Sequence, residues 1–209
     1  MSEPVLVATR SGHKLREIRE ILAELQVGSL IDPDGAGIAV DPAEDGIEVF
    51  DTFAGNALAK ARYFAARSGL LTLADDSGLC VDALDGGPGV RSRRFSGRAD
   101  LEGEALDLAN NALLLEKLRG VPSDGRTAHY LCVAAVVDPA TGEESWFEGR
   151  CDGVILDAPS GAGGFGYDPL FLVPSEGRSF GEIAPARKNR ISHRAHAMRA
   201  AASALHRES

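Results

Sequence analysis

A short apolar run, Leu70 to Leu73, leads into two adjacent carboxylates, Asp75 and Asp76, and then into Ser77 and Gly78. The run predicts a buried strand, and the serine and glycine predict a turn that ends it. In open α/β sheets, ligands bind at the carboxyl ends of strands, so this stretch is a candidate site. Neighbouring side chains on an extended backbone point to opposite faces, so the two carboxylates are expected to differ in role, one of them holding a hard cation such as Mg²⁺. An ordinary polar turn is the alternative interpretation of these residues alone.

Composition restricts the class of protein. The chain has 209 residues, of which 44% are hydrophobic and 25% charged, and this composition fits one large domain or two small lobes. The net charge of −9 argues against a nucleic-acid backbone as the main partner. Cys80, Cys132 and Cys151 lie far apart, which favours buried free thiols in a reducing compartment. The start of the chain predicts a strand and no signal peptide, and no apolar run approaches the ~20 residues of a membrane span, so we expect a cytoplasmic protein without membrane contact.

The first 25 residues predict a strand, a polar loop and a helix. The strand is expected over residues 4–9, and Arg10 to Lys14 form the loop, with a single glycine. Helix N-terminal amides and the helix dipole favour a bound phosphate at such a junction. Lys14 would add a full positive charge, although a solvated helix residue is the alternative. The spacing excludes a Walker A loop.

The remaining pattern predicts an α/β fold. A second helix, capped by Asp51 or Thr52, is expected to end near Gly69, and Lys60 shares a face with Asn56. Glu48 precedes this helix and is placed to reach a metal, with neighbouring acidic residues as competitors. Further elements are expected as strands near 38–40, 79–83 and 154–156, a helix over 101–118, a long hairpin over 127–148 and a last helix that begins near Lys188.

A glycine-rich stretch, Gly161 to Phe171, is followed later by a dense group of donors. Phe165 and Tyr167 offer flat faces for a nucleobase, and Asp168 offers a carboxylate. The donors are Lys188, Asn189, Ser192, His193 and Arg194. Such a group suits recognition of a base edge, whereas His193 alone would be expected to cap a helix or lie in the core.

Five stretches in this order resemble the inosine triphosphate pyrophosphatase family, also called non-canonical purine nucleoside triphosphate pyrophosphatases. Each stretch is moderately specific alone, and together they cover nearly the whole chain. They are Ala8 to Glu17 (ATRSGHKLRE), Thr52 to Ala61 (TFAGNALAKA), Ala74 to Leu79 (ADDSGL), Gly163 to Phe171 (GGFGYDPLF) and Lys188 to Ala195 (KNRISHRA).

The resemblance implies an elongated mixed-sheet α/β fold, a single pyrophosphatase domain over residues 1–209 whose two lobes flank a central nucleotide-binding cleft, and a homodimer. It implies Mg²⁺-dependent hydrolysis of ITP, dITP and XTP to the monophosphate and pyrophosphate, which cleanses the nucleotide pool. Glu48 and Asp76 would hold Mg²⁺, and Asp76 would also be the base that activates water. The residues implied to hold the triphosphate are Thr9, Arg10, Ser11, Gly12, His13 and Lys14, with Lys60 assisting. Ser77 would contact the nucleotide, and the residues implied to surround the base and sugar are Phe165, Gly166, Tyr167, Asp168, Lys188, His193 and Arg194.

Three positions depart from the family pattern. Ser11 stands where the family usually has asparagine, and His13 where it often has glycine. Gly55 stands where it usually has glutamate, which weakens the expectation of a strong metal site at Glu48. Two alternatives stay open: a related pyrophosphatase for other modified or ordinary nucleotides, and a nucleotide-binding sensor without catalysis.

Overall fold

The computed structural model describes residues 3–206. The outermost residues of the predicted 1–209 domain, 1–2 and 207–209, lie outside this range. Five helices and seven strands form the framework of these residues. The helices are α1 (Gly12–Glu24), α2 (Phe53–Ser68), α3 (Gly103–Lys117), α4 (Pro185–Ile191) and α5 (His193–Leu205). The strands are β1 (Val5–Val7), β2 (Leu30–Ile31), β3 (Thr72–Val81), β4 (Thr127–Val137), β5 (Glu144–Ile155), β6 (Phe171–Val173) and β7 (Arg178–Ser179).

The strands form one mixed sheet in the order β2-β1-β3-β4-β5-β6-β7. β1 runs parallel to both β2 and β3, with Leu6 opposite Thr72 and Val7 opposite Leu73. β6 runs antiparallel to β5 and β7. The predicted mixed-sheet α/β fold is therefore confirmed, whereas the two lobes around a cleft stay a prediction.

The described chain divides into two compact units, each with a core of its own. The first unit comprises residues 3–76, 132–149 and 193–206, and the second comprises 77–131 and 150–192. In the first unit, α1 packs against α5, and Ile18, Leu22 and Met198 lie in the core. In the second unit, Leu114, Phe171 and Phe180 lie in the core. Each such side chain contributes about 1.5–3 kcal/mol by leaving water.

Capping residues define the starts of two helices, and the sequence predicts those of α2. Thr52 accepts a hydrogen bond from Gly55 N at the start of α2, and Gly69 ends that helix with a φ of 69°. A positive φ suits glycine because it has no Cβ. Ser11 caps α1 by accepting from Lys14 N at 3.4 Å, which places Lys14 in the first helical turn as predicted.

The turn predicted at Ser77 and Gly78 is wrong. β3 continues through both residues to Val81, so the strand predicted at 79–83 is the second half of β3. The strand lies between β1 and β4 in the sheet, and β1 pairs with its first residues, Thr72 and Leu73. Pairing within a sheet can hold a polar sequence extended that would turn in isolation. Asp75 and Asp76 therefore lie in the middle of a strand instead of at its end.

Three further expectations about the elements are wrong. Residues 38–40 form no strand, and the short strand before α2 is β2. Residues 154–155 belong to the long β5, because the hairpin strand runs on past its predicted end. The expected last helix is two helices, since Ser192 has an extended backbone with ψ of 158° between α4 and α5.

The predicted hairpin is present as β4 and β5, and Asp138 N donates to Glu143 O at 2.9 Å across its turn. Cys80, Cys132 and Cys151 are buried free thiols, as expected. Within residues 3–206, no helix has the length and apolar character needed to cross a membrane.

Candidate active site

The two adjacent carboxylates of β3 are both buried but have different partners. Asp75 is 1% exposed and Asp76 is 6% exposed. Asp75 pairs with Lys14 and Arg194, whereas Asp76 accepts a hydrogen bond from the Asn56 amide. The extended backbone separates the two side chains, and this supports the expectation that their roles differ.

Asp75 is the centre of a buried ionic network in the first unit. Lys14 Nζ lies 3.2 Å from Asp75 Oδ2, and Arg194 Nε and Nη2 donate to the same oxygen at 3.2 Å each. Glu17 accepts from Arg194 Nη1. Burial alone would raise the pKa of Asp75, but the charges of Lys14 and Arg194 hold that pKa well below its ordinary value. The carboxylate is therefore charged at neutral pH.

Asp76 is in a different electrostatic environment. Asn56 Nδ2 donates to Asp76 Oδ2 at 3.0 Å. Burial raises the pKa of Asp76 above its ordinary value, and the nearby charge of Glu48 adds to the rise, although Lys14 and Lys60 oppose it. A carboxylate with a raised pKa is a better proton acceptor, which suits the predicted water-activating base.

Glu48 and Lys60 form an ion pair between the loop before α2 and the helix itself. Burial would raise the pKa of Glu48, but Lys60 lowers it by more. Burial likewise lowers the pKa of Lys60, and Glu48, Asp75 and Asp76 outweigh this effect and raise it. The two lysines predicted to bind phosphate thus lie beside the carboxylates predicted to hold a metal.

Among residues 3–206, no group of three or more His, Cys, Asp or Glu side chains is placed to hold a metal ion. The predicted pair, Glu48 and Asp76, would supply two carboxylates at most. Mg²⁺ is commonly bound by one or two carboxylates, with waters and substrate phosphates as the other ligands. Each carboxylate also feels the repulsion of a neighbouring one, which a cation would relieve. The donor set therefore fits Mg²⁺ bound together with a polyphosphate, and the metal stays a prediction.

The loop before α1 carries the other predicted phosphate ligands. Thr9 is buried, and its Oγ1 accepts from Ser11 N at 3.2 Å. Gly12 and His13 are exposed at the start of α1. Arg10 has other partners, because its guanidinium pairs with Asp34 and Glu44 and donates to backbone carbonyls of the segment between them. In this structure the arginine links the loop before α1 to the acidic segment 34–44.

The residues predicted around the base form a buried cluster in the second unit, apart from His193 and Arg194, which belong to the first. Asp168 accepts from Phe165 N at 2.9 Å and pairs with Lys188, whose ammonium lies 4.8 Å from the centre of the Phe165 ring. Tyr167 is 4% exposed, and its hydroxyl donates to Ser92 O at 2.7 Å.

Ser77, His193 and Arg194 complete the set of predicted residues. Ser77 is the one residue of β3 that is not fully buried. His193 and Arg194 begin α5 and are 4% and 2% exposed. The predicted contact of Arg194 with the base stays a prediction, because here its guanidinium is bound by Asp75 and Glu17.

Sequence reasoning missed several side chains of these clusters. Glu17 lies three residues after Lys14 on α1, a spacing that shares a helix face and gives a usable signal. Asp107 accepts from Gly166 N at 2.7 Å, and Asn111 donates to Gly166 O at 3.0 Å. No sequence pattern predicts that side chains of α3 contact the backbone of a glycine more than 50 positions away.

The chain matches one family model and many curated proteins. The model of the Ham1 family matches residues 5–204. The dITP/XTP pyrophosphatase of Frankia alni is 48% identical over 203 residues, covering 96% of each chain. The protein of the same name from Geobacter sulfurreducens is 47% identical, with 93% of this chain and 92% of that protein covered.

Solved structures agree with these relatives. A HAM1 protein from Coxiella burnetii matches with a TM-score of 0.82 and 34% identity, covering 98% of both chains. A dITP/XTP pyrophosphatase from Mycobacterium abscessus matches with a TM-score of 0.72 and 38% identity, covering 97% of this chain and 99% of that one. The resemblance inferred from the five sequence stretches is confirmed, and the chain belongs to the Ham1 family.

Proposed function

We propose that this protein hydrolyses ITP, dITP and XTP to the nucleoside monophosphate and pyrophosphate, with Mg²⁺ as cofactor. The predicted enzyme class, a nucleoside triphosphate pyrophosphatase, is confirmed by the names of the curated relatives. The base preference, the metal, the homodimer and the cytoplasmic location are parts of the proposal.

One observation carries the proposal: buried carboxylates on β3 lie beside two lysines from two different helices. Lys14 Nζ lies 3.2 Å from Asp75, and Lys60 acts on the pKa values of both Asp75 and Asp76. A triphosphate needs positive charge and helix N-terminal amides, which Lys14, Lys60 and the start of α1 supply. Hydrolysis also needs a proton acceptor for water, which Asp76 supplies.

In the proposed reaction, Lys14 and Lys60 bind the phosphate oxygens and stabilise the charge that develops on them. Asp76 takes the proton of the water that attacks the α-phosphorus, the bond from that phosphorus to the oxygen shared with the β-phosphate breaks, and pyrophosphate leaves. Asn56 is hydrogen-bonded to the Asp76 carboxylate. A bound Mg²⁺ would be held by Glu48 and Asp76, and it would neutralise phosphate charge and make water easier to deprotonate. Phosphoryl-type transfer depends mainly on such positioning and charge stabilisation.

The proposed base preference depends on hydrogen-bond donors. A 6-keto oxygen would accept from His193, Arg194 or Lys188, whereas the 6-amino group of adenine is itself a donor. A buried donor left unpaired can reject the wrong substrate by about 10⁴-fold. We therefore expect ATP to be a very poor substrate.

The test is pyrophosphate release from ITP and from ATP, with Mg²⁺ and with a chelator. Strong release from ITP alone, abolished by the chelator, would support the activity, cofactor and base preference together. Equal rates with ITP, XTP, dUTP and GTP would reject the preference for keto purines and favour a broader pyrophosphatase. Nucleotide binding without pyrophosphate release, even with excess Mg²⁺, would instead favour a sensor.

A further inference from the structure

The side chain of Asn56 connects a predicted catalytic carboxylate to the loop that carries Glu48. Its Nδ2 donates to Asp76 Oδ2 at 3.0 Å, and its Oδ1 accepts from Phe50 N at 2.9 Å. The residue is 1% exposed. The buried side-chain amide of Asn56 therefore makes two hydrogen bonds. One is to a carboxylate on β3, and the other is to the backbone two residues after Glu48.

Asn56 is well placed to fix both partners. It lies in the first turns of α2, where its own N–H donates to Thr52 O, and Thr52 caps the helix. The loop it holds has little apolar burial of its own, because Val49 is 68% exposed and Phe50 is 50% exposed. Segments with few buried contacts open readily unless polar contacts hold them.

We propose that Asn56 is a positioning residue, which orients the Asp76 carboxylate and at the same time fixes the loop that presents Glu48. This inference rests on the proposed function, since it gives Asp76 and Glu48 their roles. A single side-chain amide thus fixes the positions of two predicted metal ligands, Asp76 on β3 and Glu48 in the loop before α2. Residues that hold metal ligands in this way typically change metal affinity or activity by about 10- to 100-fold when they are mutated.

Two substitutions separate the two hydrogen bonds. Asn56→Asp keeps an oxygen that can accept from Phe50 N but replaces the donor to Asp76 with a second carboxylate oxygen. Asn56→Leu removes both hydrogen bonds at similar volume. Asn110→Asp and Asn110→Leu are the matched controls, because Asn110 is 3% exposed and also uses both ends of its amide. It accepts from Ser96 N at 2.8 Å and donates to Arg93 O at 3.2 Å.

The first measurement is hydrogen exchange of the Phe50 amide in metal-free protein. Exchange should be roughly 5- to 10-fold faster in Asn56→Leu, as expected for loss of one hydrogen bond, and close to wild type in Asn56→Asp and both Asn110 variants. The second is Mg²⁺ affinity by titration calorimetry, which should fall about 10-fold or more in both Asn56 variants and in neither Asn110 variant. The third is kcat for ITP, which should fall about 100-fold in both Asn56 variants with a smaller change in KM.

Circular dichroism and thermal unfolding would establish that all four variants are folded at the assay temperature. If the Asn56 variants lose no more Mg²⁺ affinity and kcat than the Asn110 variants, the positioning role is rejected. Unchanged Phe50 exchange in Asn56→Leu would also overturn the inference. A wild-type protein inactive on ITP would reject the proposed function, and the inference would then be decided by Phe50 exchange together with Mg²⁺ affinity, neither of which depends on turnover.

Discussion

Arg194 donates from both Nε and Nη2 to a single oxygen of Asp75, and the two residues are only 2% and 1% exposed. The charge of Asp75 on β3 is therefore balanced by an arginine in the first turn of α5. Lys14 adds a third charge to the cluster and Glu17 a fourth. Breaking such a buried network costs far more than breaking an exposed ion pair, because a charge is left without its partner in a region that water does not reach.

Arg194→Gln should therefore lower the free energy of unfolding by roughly 3–5 kcal/mol. The control is Arg150→Gln, which breaks an exposed pair with Asp152 and should cost about 1 kcal/mol or less. Urea denaturation followed by circular dichroism measures both. Equal losses for the two variants would mean that the buried network adds no more stability than a surface pair.

The ionisation of Asp75 should appear in the pH dependence of stability. Burial raises the pKa of Asp75, but Lys14 and Arg194 lower it by more, so the folded pKa lies below the unfolded value near 3.8. The stabilisation is then complete well above 3.8 and is lost as the pH falls through the folded pKa. The stability difference between wild type and Asp75→Asn should be constant from about pH 8 to about pH 6 and should shrink below about pH 4.

Denaturant unfolding at several pH values measures this difference. Asp51→Asn, at an exposed position before α2, serves as the control, and its effect on stability should be small at every pH. If the stability difference between wild type and Asp75→Asn grew as the pH fell, Asp75 could not be a paired carboxylate with a lowered pKa.

Asp76→Asn should abolish turnover while nucleotide binding stays measurable, because it removes the proton acceptor and one charge of the predicted metal site. The measurements are pyrophosphate release and calorimetric binding of ITP. Asp85→Asn is a suitable control, since Asp85 is exposed and asparagine tolerates its φ of 52°. Near-normal turnover in Asp76→Asn would refute the assignment of the base.

Lys14→Ala should mainly weaken binding of the triphosphate, since Arg194 still pairs with Asp75 when Lys14 is lost. We expect KM for ITP to rise by about 10-fold or more, as for loss of a charged hydrogen bond. Lys117→Ala, at an exposed position at the end of α3, should leave KM unchanged. Steady-state kinetics with ITP and Mg²⁺ provide the comparison, and unchanged kinetic constants in Lys14→Ala would make Lys14 an ordinary helix residue.

Much of the fold could be predicted from the sequence, because local signals defined it. Thr52 and Gly69 are strong helix boundary residues, and the apolar stripe of α1 follows the helical period. The long hairpin was predicted from its two β-like runs and the turn between them. The predicted division of β3 is wrong because Ser77 and Gly78 favour turns locally, whereas in the structure they lie inside one continuous strand of the sheet.

The ionic partners could be predicted only in part. The family-like stretches indicate Lys14 and Asp76 as candidate site residues, but the partners of each depend on contacts between distant segments of the chain. Arg10 shows the limit of this reasoning. Its position in the loop predicts a phosphate ligand, and that role stays a prediction. In the structure its guanidinium pairs with Asp34 and Glu44, which no local sequence pattern indicates.

The pairing of Asp75 with Arg194 joins positions 119 residues apart, and this separation matters during synthesis. The ribosome translates Lys14 and Asp75 early, but it translates Arg194 only with α5, the last helix. Asp75 and its neighbours therefore cannot reach their final charge balance until nearly all of the chain has been translated. Nascent chains that stop before α5 lack both Arg194 and the helix that packs against α1, so the first unit stays incompletely folded and open to proteases.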